Sequence, residues 1–254
     1  MAGQTSELER LRVQAEAWEP AGRALLEQVG DGRGKRVLDV GCGPLGWLAI
    51  LSDWVGPEGE VVGTDIEPSL LEATQSLGLE NVRVVEDDLF ATQLEPDSFD
   101  LVHARLQLTP IGRHDEQLDV YTRLAKPGGV LVLEDPDSSA WRLQPEGAAT
   151  AVLIEAIRMA FKAGGGDFDT GRHLPHLLVG RGIEPHVTTH VLALGPEHPY
   201  LRVPLQFAQS LEPRLRELLG DDFEELVESA RREIEDPDRW GTSFVLVQAW
   251  GRVP

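Results

Sequence analysis

Several residue types are scarce in this sequence, and each shortage excludes a class of protein. Cys42 is the single cysteine among 254 residues, so neither an internal disulfide nor a cysteine cluster for zinc or iron–sulfur can form. No run of about 18 apolar residues occurs, so we expect no membrane-spanning helix. The first ten residues lack the apolar core of a secretory signal. These shortages favour a soluble cytoplasmic protein.

Positive charge is scarce as well. The chain has 23 Lys and Arg residues against 43 Asp and Glu residues, a formal net charge of −20. Because such a surface repels nucleic-acid phosphates and anionic lipid headgroups, we expect neither nucleic acid nor a membrane as a partner. Hydrophobic residues make up 41 % of the chain, which is typical of a folded domain, and the length suits one large α/β domain.

Short apolar runs in the first half of the chain predict parallel strands covered on both faces. The runs lie at 37–40, 61–66, 82–85, 99–102 and 130–133, and helical segments are predicted between them at 45–55, 68–77 and 113–125. This alternation implies right-handed crossovers and a doubly wound sheet. Before the first strand, a capping box at Ser6–Glu9 opens a helix that Pro20 breaks or kinks, and a second helical stretch covers 21–29.

The second half of the chain departs from strict alternation. Apolar residues at helical spacing predict helices at 147–162 and 223–234 and a shorter helix at 170–180. Two further strands, at 186–194 and 243–250, lack a comparable crossover unit between them, so we expect antiparallel pairing at one sheet edge.

These elements predict a single α/β domain with a doubly wound, mostly parallel seven-stranded sheet, an antiparallel C-terminal strand and helical cap insertions, a Rossmann-like architecture. We divide it into N-terminal helices (1–34), a cofactor-binding half (35–136) and the remainder of the sheet (137–254). The cap insertions are expected at about 137–169 and 196–238.

The sharpest motif is a glycine turn at the end of the first predicted strand. Gly41, Gly43 and Gly46 fit the spacing G-x-G-x-x-G. Glycines let a ligand approach the backbone closely, and the helix that follows offers free N–H groups. Asp39, two residues before the first glycine, is ill suited to a pyrophosphate and well suited to a ligand that carries an ammonium group and no phosphate.

The segment VLDVGCGPLG at 37–46 resembles the first motif of class I S-adenosylmethionine-dependent methyltransferases. Further segments are similar to later motifs of that family at the expected distances: GTDIEPSLL at 63–71, EDDL at 86–89, SFDLV at 98–102 and LAKPGG at 124–129. The resemblance covers about residues 35–135, roughly half of the chain. Five matches in the expected order and at the expected distances are strong evidence for the resemblance, whereas each match alone would be weak evidence.

The resemblance implies S-adenosyl-L-methionine as cofactor. Asp65 would accept hydrogen bonds from the ribose hydroxyls, Ile66 would pack on the adenine, and Asp88, or alternatively Asp87, would bind the adenine amino group. Arg105 is expected to hold the cofactor carboxylate, to bridge to the rim or to form a local ion pair. The full set of predicted cofactor-binding residues is Asp39, Gly41, Cys42, Gly43, Gly46, Asp65, Ile66, Asp87, Asp88, Leu89, Ala104 and Arg105.

The acceptor side is less well marked. His103 and His173 are the candidate catalytic bases by their chemistry; the alternatives are a buried structural histidine at 103 and a rim anchor at 173. Trp141, Phe168 and Phe207 are expected to line an apolar substrate pocket, or else to form the core of the cap. We predict no metal site.

The predicted function is methyl transfer to a small, apolar or aromatic metabolite, by a protein that could form a homodimer. One alternative keeps the fold and uses the cofactor structurally, while the cap catalyses a cyclisation or pericyclic step. Another is an NAD-dependent oxidoreductase, against which Asp39 and Asp88 argue. A pure interaction module is the least favoured class, because a glycine turn with three aligned carboxylates serves no obvious scaffold purpose.

Overall fold

A computed structural model describes residues 2–43, 46–67 and 78–254, with side chains from residue 10 onward. The capping-box side chains at Ser6–Glu9, the predicted helix at 68–77 and the predicted helix start at Leu45 lie outside what is described. Within the described ranges, no helix is long and apolar enough to cross a bilayer.

The centre of the molecule is a seven-stranded sheet with the strand order β3-β2-β1-β4-β5-β10-β7. Strand β10 runs antiparallel to both of its neighbours, whereas β1 to β5 pair in parallel. This confirms the predicted fold class. The strands are β1 Arg36–Val40, β2 Glu60–Asp65, β3 Val82–Glu86, β4 Phe99–Arg105, β5 Ala125–Asp137, β7 His186–His190 and β10 Val245–Arg252.

Helices cover both faces of the sheet because the strands carry apolar residues on both faces. One core packs helices α1 and α2 on Val37, Leu101 and Val132, and the opposite core packs α4 and α6 on Leu38 and Val102. The helices are α1 Ala2–Val29, α2 Trp47–Val55, α3 Leu108–Ile111, α4 His114–Leu124 and α6 Leu174–Val179.

The predicted break at Pro20 is wrong, because α1 continues through it as one helix. A proline inside a helix leaves the carbonyl of residue i−4 without its usual partner. Pro20 and Glu16 both lie on the exposed side of α1, where water can satisfy that carbonyl. The buried Trp18 and Ala21 hold the two halves of the helix against the rest of the protein.

Strand β5 begins earlier than predicted. Phe99 pairs with Ala125 and Leu101 with Val130, so residues 126–129 bulge outward opposite a single residue, Asp100. Gly128 has a φ of +76° in this excursion, which explains why a glycine stands there. The ammonium of Lys126 donates to Asp100 Oδ1 at 2.8 Å and closes the bulge.

The C-terminal half contains a second, three-stranded sheet that the sequence did not indicate. The predicted strand at 186–194 is in fact two strands, β7 in the main sheet and β8 Ala193–Leu194 in the small one. Strands β6 Arg142–Gln144 and β9 Trp240–Thr242 complete the small sheet. Strands of two or three residues are too short to show a hydrophobic period.

The remaining helices form a cap over the carboxyl ends of the strands. They are α5 Ala148–Ala163, α7 Val203–Ser210, α8 Glu212–Leu219 and α9 Phe223–Ile234. Their buried faces share one apolar core with Trp18 of α1 and with Phe244, which precedes β10. The cap is therefore packed on both the N-terminal helix and the sheet.

Candidate active site

The glycine turn follows β1 and lies at the point where the strand order reverses between β1 and β4, which is where open α/β sheets bind ligands. Gly41, Gly43 and Gly46 have φ values of +61°, +55° and +109°, which favour glycine. A Cβ on Gly41 would collide with the side-chain amide of Gln107, and one on Gly46 with the guanidinium of Arg105. Open space lies over Gly43.

Asp65, at the end of β2, is fixed against this turn. Its Oδ2 accepts the backbone N–H of Gly43 at 3.0 Å, and its Oδ1 accepts that of Glu67 at 3.0 Å. Each carboxylate oxygen keeps a further lone pair, so the side chain remains able to accept two hydroxyl groups from a ligand. The structure thus brings Asp65 and the glycine turn into contact.

A cavity of about 270 Å³ opens between the glycine turn and the cap. Predicted site residues on its wall are Asp39, Gly41, Cys42, Gly43, Asp65, His103, Arg105, Phe168 and Phe207. Sequence reasoning did not single out other wall residues: Arg10, Leu11 and Gln14 of α1, and Trp47, Gln107 and Thr109. These residues come from elements that are distant from one another in the chain, so no local sequence motif predicts that they share a cavity.

The predicted adenine-binding residues lie outside the cavity wall, beside Asp65. Ile66 is 68 % exposed, which is unusual for an isoleucine and leaves an apolar surface free for a planar ring. The backbone N–H of Asp87 donates to Asp65 O at 3.0 Å. Asp88 caps the short 3₁₀ helix Leu89–Ala91 by accepting the N–H of Phe90 at 3.0 Å.

His103 is completely buried between two carboxylates. Its Nδ1 lies 2.6 Å from Asp39 Oδ1, and its Nε2 lies 3.1 Å from Glu134 Oε1. Burial alone would lower the pKa of His103, but the charge of Asp39 and the hydrogen bonds to both carboxylates raise it above its ordinary value. For Glu134 burial alone would raise the pKa, and the hydrogen bond to His103 lowers it.

These contacts correct the predicted role of His103 as a catalytic base. An imidazole whose two nitrogens both face carboxylates has no free lone pair to accept a proton from a substrate. The alternative interpretation, a buried histidine satisfied by its neighbours, fits the structure. His173, the other candidate base, is exposed and does not belong to the cavity wall, so its side chain is not placed to contact an acceptor there.

The aromatic side of the cavity is formed by Phe161, Phe168, Phe207 and Phe244, which we call the phenylalanine wall. Trp141, predicted to line the substrate pocket, instead lies behind it and stacks on Phe168 with ring centroids 5.1 Å apart. Phe168 also contacts the other three rings edge-on at 5.4–5.7 Å. The wall is therefore at once the core of the cap and one face of the cavity.

Arg105 links the two sides of the cavity. Its Nη2 lies over Gly46, and among the described residues its buried Nη1 has no hydrogen-bond partner. Burying a guanidinium nitrogen without a hydrogen-bond partner costs free energy, so we expect this atom to bind an anionic group of a ligand. Ala104, in contrast, is a buried core residue of β4.

Cys42 is a buried residue of the glycine turn, and Asp137, the last residue of β5, is paired with an arginine. Burial, and then the charges of Asp39 and Asp65, raise the pKa of the Cys42 thiol. Asp137 accepts Arg172 Nε at 2.6 Å. Among the described residues, no three His, Cys, Asp or Glu side chains are grouped so that they could hold a metal ion.

Comparison with known proteins agrees with this geometry. The family model described as a methyltransferase domain matches residues 31–170, more than half of the chain, so the chain belongs to that family. Demethylmenaquinone methyltransferases from Staphylococcus aureus strains are 34 % identical over 112 residues, which is 43 % of this chain and 46 % of theirs. The chain thus spans about half the length of the curated relatives it matches.

Two solved structures show the same fold. An S-adenosylmethionine-dependent methyltransferase from Aquifex aeolicus aligns over 91 % of this chain and 88 % of its own, with a TM-score of 0.53 and 16 % identity. Geranyl diphosphate C-methyltransferase from Streptomyces coelicolor, in complex with S-adenosylhomocysteine, aligns over 93 % and 76 % with a TM-score of 0.54 and 16 % identity. The predicted resemblance to S-adenosylmethionine-dependent methyltransferases is confirmed, and with it the cofactor at the level of the family.

The residues present fit that cofactor. The open space over Gly43 admits the part of the cofactor that lies against the backbone of the turn, and Asp65 offers two acceptor oxygens for a ribose. The buried, unpaired Nη1 of Arg105 suits a carboxylate. Asp39 has an anionic oxygen on the cavity wall that suits an ammonium group. Asp39, Gly43, Asp65 and Arg105 therefore all lie on the wall of one cavity.

Proposed function

We propose that this protein transfers a methyl group from S-adenosylmethionine to a small, apolar or aromatic metabolite. The observation that carries the proposal is that one cavity has the glycine turn on one side and the phenylalanine wall on the other. A ligand group bound at the turn and an apolar acceptor bound at the wall would therefore meet without intervening protein.

When bound, the cofactor supplies an already activated, electrophilic methyl group. The protein's own residues hold its ends: Asp65 the ribose, Ile66 with Asp88 or Asp87 the adenine, and Asp39 and Arg105 the amino-acid end. Charge-assisted hydrogen bonds of this kind contribute about 1.5–3 kcal/mol each. The main catalytic task left to the chain is to align the acceptor with the methyl group and to exclude water.

The acceptor side supports an apolar substrate. Four phenylalanines line it, and a wall of this kind recognises a ring or hydrocarbon by area and stacking and not by hydrogen bonds. The names of two similar proteins, which act on demethylmenaquinone and on geranyl diphosphate, agree with an acceptor that has a large apolar part.

The test is a titration calorimetry experiment followed by a transfer assay. The protein should bind S-adenosylhomocysteine, and with S-adenosylmethionine and a panel of quinols, phenols and isoprenoids it should form S-adenosylhomocysteine with at least one acceptor. Conversion of an acceptor without S-adenosylhomocysteine formation would favour the cyclisation or pericyclic alternative. A melting temperature raised by NAD and not by S-adenosylhomocysteine would favour an oxidoreductase and overturn the proposal.

A further inference from the structure

A row of polar side chains crosses five adjacent strands on the face that carries α1 and α2; four of them are buried, and the fifth, on the edge strand β7, is half-buried. We call Asp39 (β1), His103 (β4), Glu134 (β5), Gln248 (β10) and Thr188 (β7) the polar row. Strand register places them side by side: Asp39 pairs with His103, and Gln248 pairs with both Glu134 and Thr188. Such a row in the middle of a sheet is expensive unless every member is satisfied.

The hydrogen bonds fix the charge of Glu134. Its Oε1 accepts Trp47 Nε1 at 2.5 Å, and its Oε2 accepts Gln248 Nε2 at 2.6 Å. The Gln248 amide is oriented in turn, because its oxygen accepts the Thr188 hydroxyl at 2.9 Å. Donors on both oxygens favour the ionised carboxylate, which accepts at every lone pair. Burial alone would raise the pKa of Glu134, but the hydrogen bond to His103 lowers it.

The charge of His103 follows from the two carboxylates that its ring nitrogens face. If its ring were neutral, one nitrogen would direct a lone pair at a carboxylate oxygen, either at 2.6 Å on the Asp39 side or at 3.1 Å on the Glu134 side. Only the imidazolium form donates to both. The indole of Trp47 lies over the ring at a centroid distance of 3.9 Å, an arrangement that favours a cation.

Asp39 and His103 are the members of the row on the cavity wall, and Asp39 carries the oxygen left for a ligand. Its Oδ1 is held by His103, while among the described residues its Oδ2 has no hydrogen-bond partner. Asp39, His103 and Glu134 together carry two negative charges and one positive charge. One negative charge therefore remains uncompensated within the three, and Asp39 is the member on the cavity wall whose second carboxylate oxygen is not engaged by a described residue.

We propose that His103 is a positioning residue: held as an imidazolium between Asp39 and Glu134, it directs the free oxygen of Asp39 toward the ammonium group of the cofactor. The inference rests on the proposed function, because it requires S-adenosylmethionine in the cavity. It assigns His103 a role in binding the amino-acid end of the ligand and none in proton transfer from the acceptor.

Binding of two probes separates this role from a general structural one. S-Adenosylhomocysteine and 5′-methylthioadenosine share the thioadenosine part, but the second lacks the ammonium and carboxylate. For His103→Gln, calorimetry should show S-adenosylhomocysteine affinity reduced by about tenfold or more, as expected for a charge-assisted hydrogen bond. The affinity for 5′-methylthioadenosine should be unchanged. His190→Gln is the matched control, since His190 bonds Gln248 at the far end of the row and should alter neither affinity.

A double-mutant cycle tests whether His103 acts through Asp39. Asp39→Asn should also weaken S-adenosylhomocysteine selectively, and adding His103→Gln in that background should cause little further loss. Equal weakening of both probes by His103→Gln, or fully additive losses in the double variant, would overturn the proposal. Failure of the wild-type protein to bind either probe would instead overturn the proposed function.

The charge of His103 is measurable in the wild-type protein without any variant or ligand. In a sample with ¹⁵N-labelled histidine, one imidazole at neutral pH should show two protonated, slowly exchanging ring nitrogens, and slow exchange assigns the signal because His103 is the one buried histidine of the described residues. A neutral tautomer at this position would overturn the inference. This measurement also decides the matter if the His103→Gln variant does not fold.

Discussion

The two sides of the cavity come from regions that are built in different ways. The side that faces the cofactor is made of strand ends and the turns directly after them, so Asp39, Gly43 and Asp65 reach the site from short, continuous segments. The side that faces the acceptor is assembled from single phenylalanines in α5, in α7 and in two connecting segments. Its shape exists only after the cap has packed.

This difference has an energetic counterpart. The cofactor side depends on hydrogen bonds whose geometry the parallel sheet already fixes, so its residues can change affinity without changing the fold. The acceptor side is at the same time an apolar core, because each ring of the phenylalanine wall packs on at least one other ring of that wall. A substitution there alters stability and specificity together. Variants in the two regions should therefore separate binding from stability.

The largest expected effect is on the acceptor side. Phe168→Ala should lower the free energy of unfolding by about 3–5 kcal/mol, because the ring is 1 % exposed and its removal leaves a cavity. Urea denaturation measures this loss. At a temperature where the variant is folded, its affinity for S-adenosylhomocysteine should stay close to that of the wild type. A large loss of affinity with unchanged stability would contradict the division between the regions.

The converse variant lies on the cofactor side. Asp65→Ala should weaken S-adenosylhomocysteine binding by about 1.5–3 kcal/mol through lost charge-assisted hydrogen bonds. Stability should fall less, since Asp65 accepts only two backbone N–H groups near the surface. Titration calorimetry and thermal unfolding of the same sample check both quantities. Unchanged affinity would remove Asp65 from the ribose site.

Asp135 lies behind the cavity where the two regions meet, and it should give a pH-dependent effect. Its Oδ1 accepts the Thr109 N–H at 3.0 Å. Burial raises the pKa of Asp135 from 3.8 to about 7; the hydrogen bonds to Thr109 oppose this rise, and the charge of Glu134 adds to it. A carboxyl group whose pKa is raised by folding opposes folding increasingly as pH rises between those two values.

Asp135→Asn keeps an acceptor for Thr109 and removes the titration. The variant should therefore gain stability relative to the wild type as pH rises from 5 to 8, by about 2–3 kcal/mol. Denaturant unfolding at several pH values measures the difference. A stability difference that does not change with pH would show that Asp135 titrates alike in the folded and unfolded states.

The smallest effect is expected at an ion pair outside both regions. Arg181 contacts Asp115 and Asp119 of α4 at 3.1 and 2.9 Å, but both carboxylates are largely exposed. Arg181→Gln should cost about 0.5 kcal/mol or less, and added salt should erase most of that difference. Any change in S-adenosylhomocysteine affinity would indicate that α4 is coupled to the cavity.

The sequence could indicate the proposed cofactor side because the residues that form it are local in the chain. A turn that approaches a ligand this closely uses a carboxylate at the strand end and glycines with positive φ. Because these residues are neighbours in the chain, their spacing is recognisable as a motif. Asp39, Gly41, Gly43 and Asp65 are brought together as that motif requires. Arg105 also lies on the cavity wall, and within the described part of the chain its Nη1 has no hydrogen-bond partner.

Non-local contacts limited the rest of the prediction. The protonation of His103 depends on Glu134, which is 31 residues away, and on the register of five strands. The residues next to His103 in the sequence reveal neither. Trp141 and Phe168 have the same apolar character, and only packing decides which of them faces the cavity. The helix through Pro20 and the small sheet likewise depend on tertiary contacts that outweigh local propensity.

The single cysteine gives the glycine turn a native chemical reporter. The Cys42 side chain is 6 % exposed beneath the turn, and a thiol with a raised pKa alkylates slowly because the thiolate is the reactive form. Alkylation of the folded protein therefore needs the turn to open first. The rate of labelling by a maleimide, with and without S-adenosylhomocysteine, would measure how often this turn opens without any engineered probe.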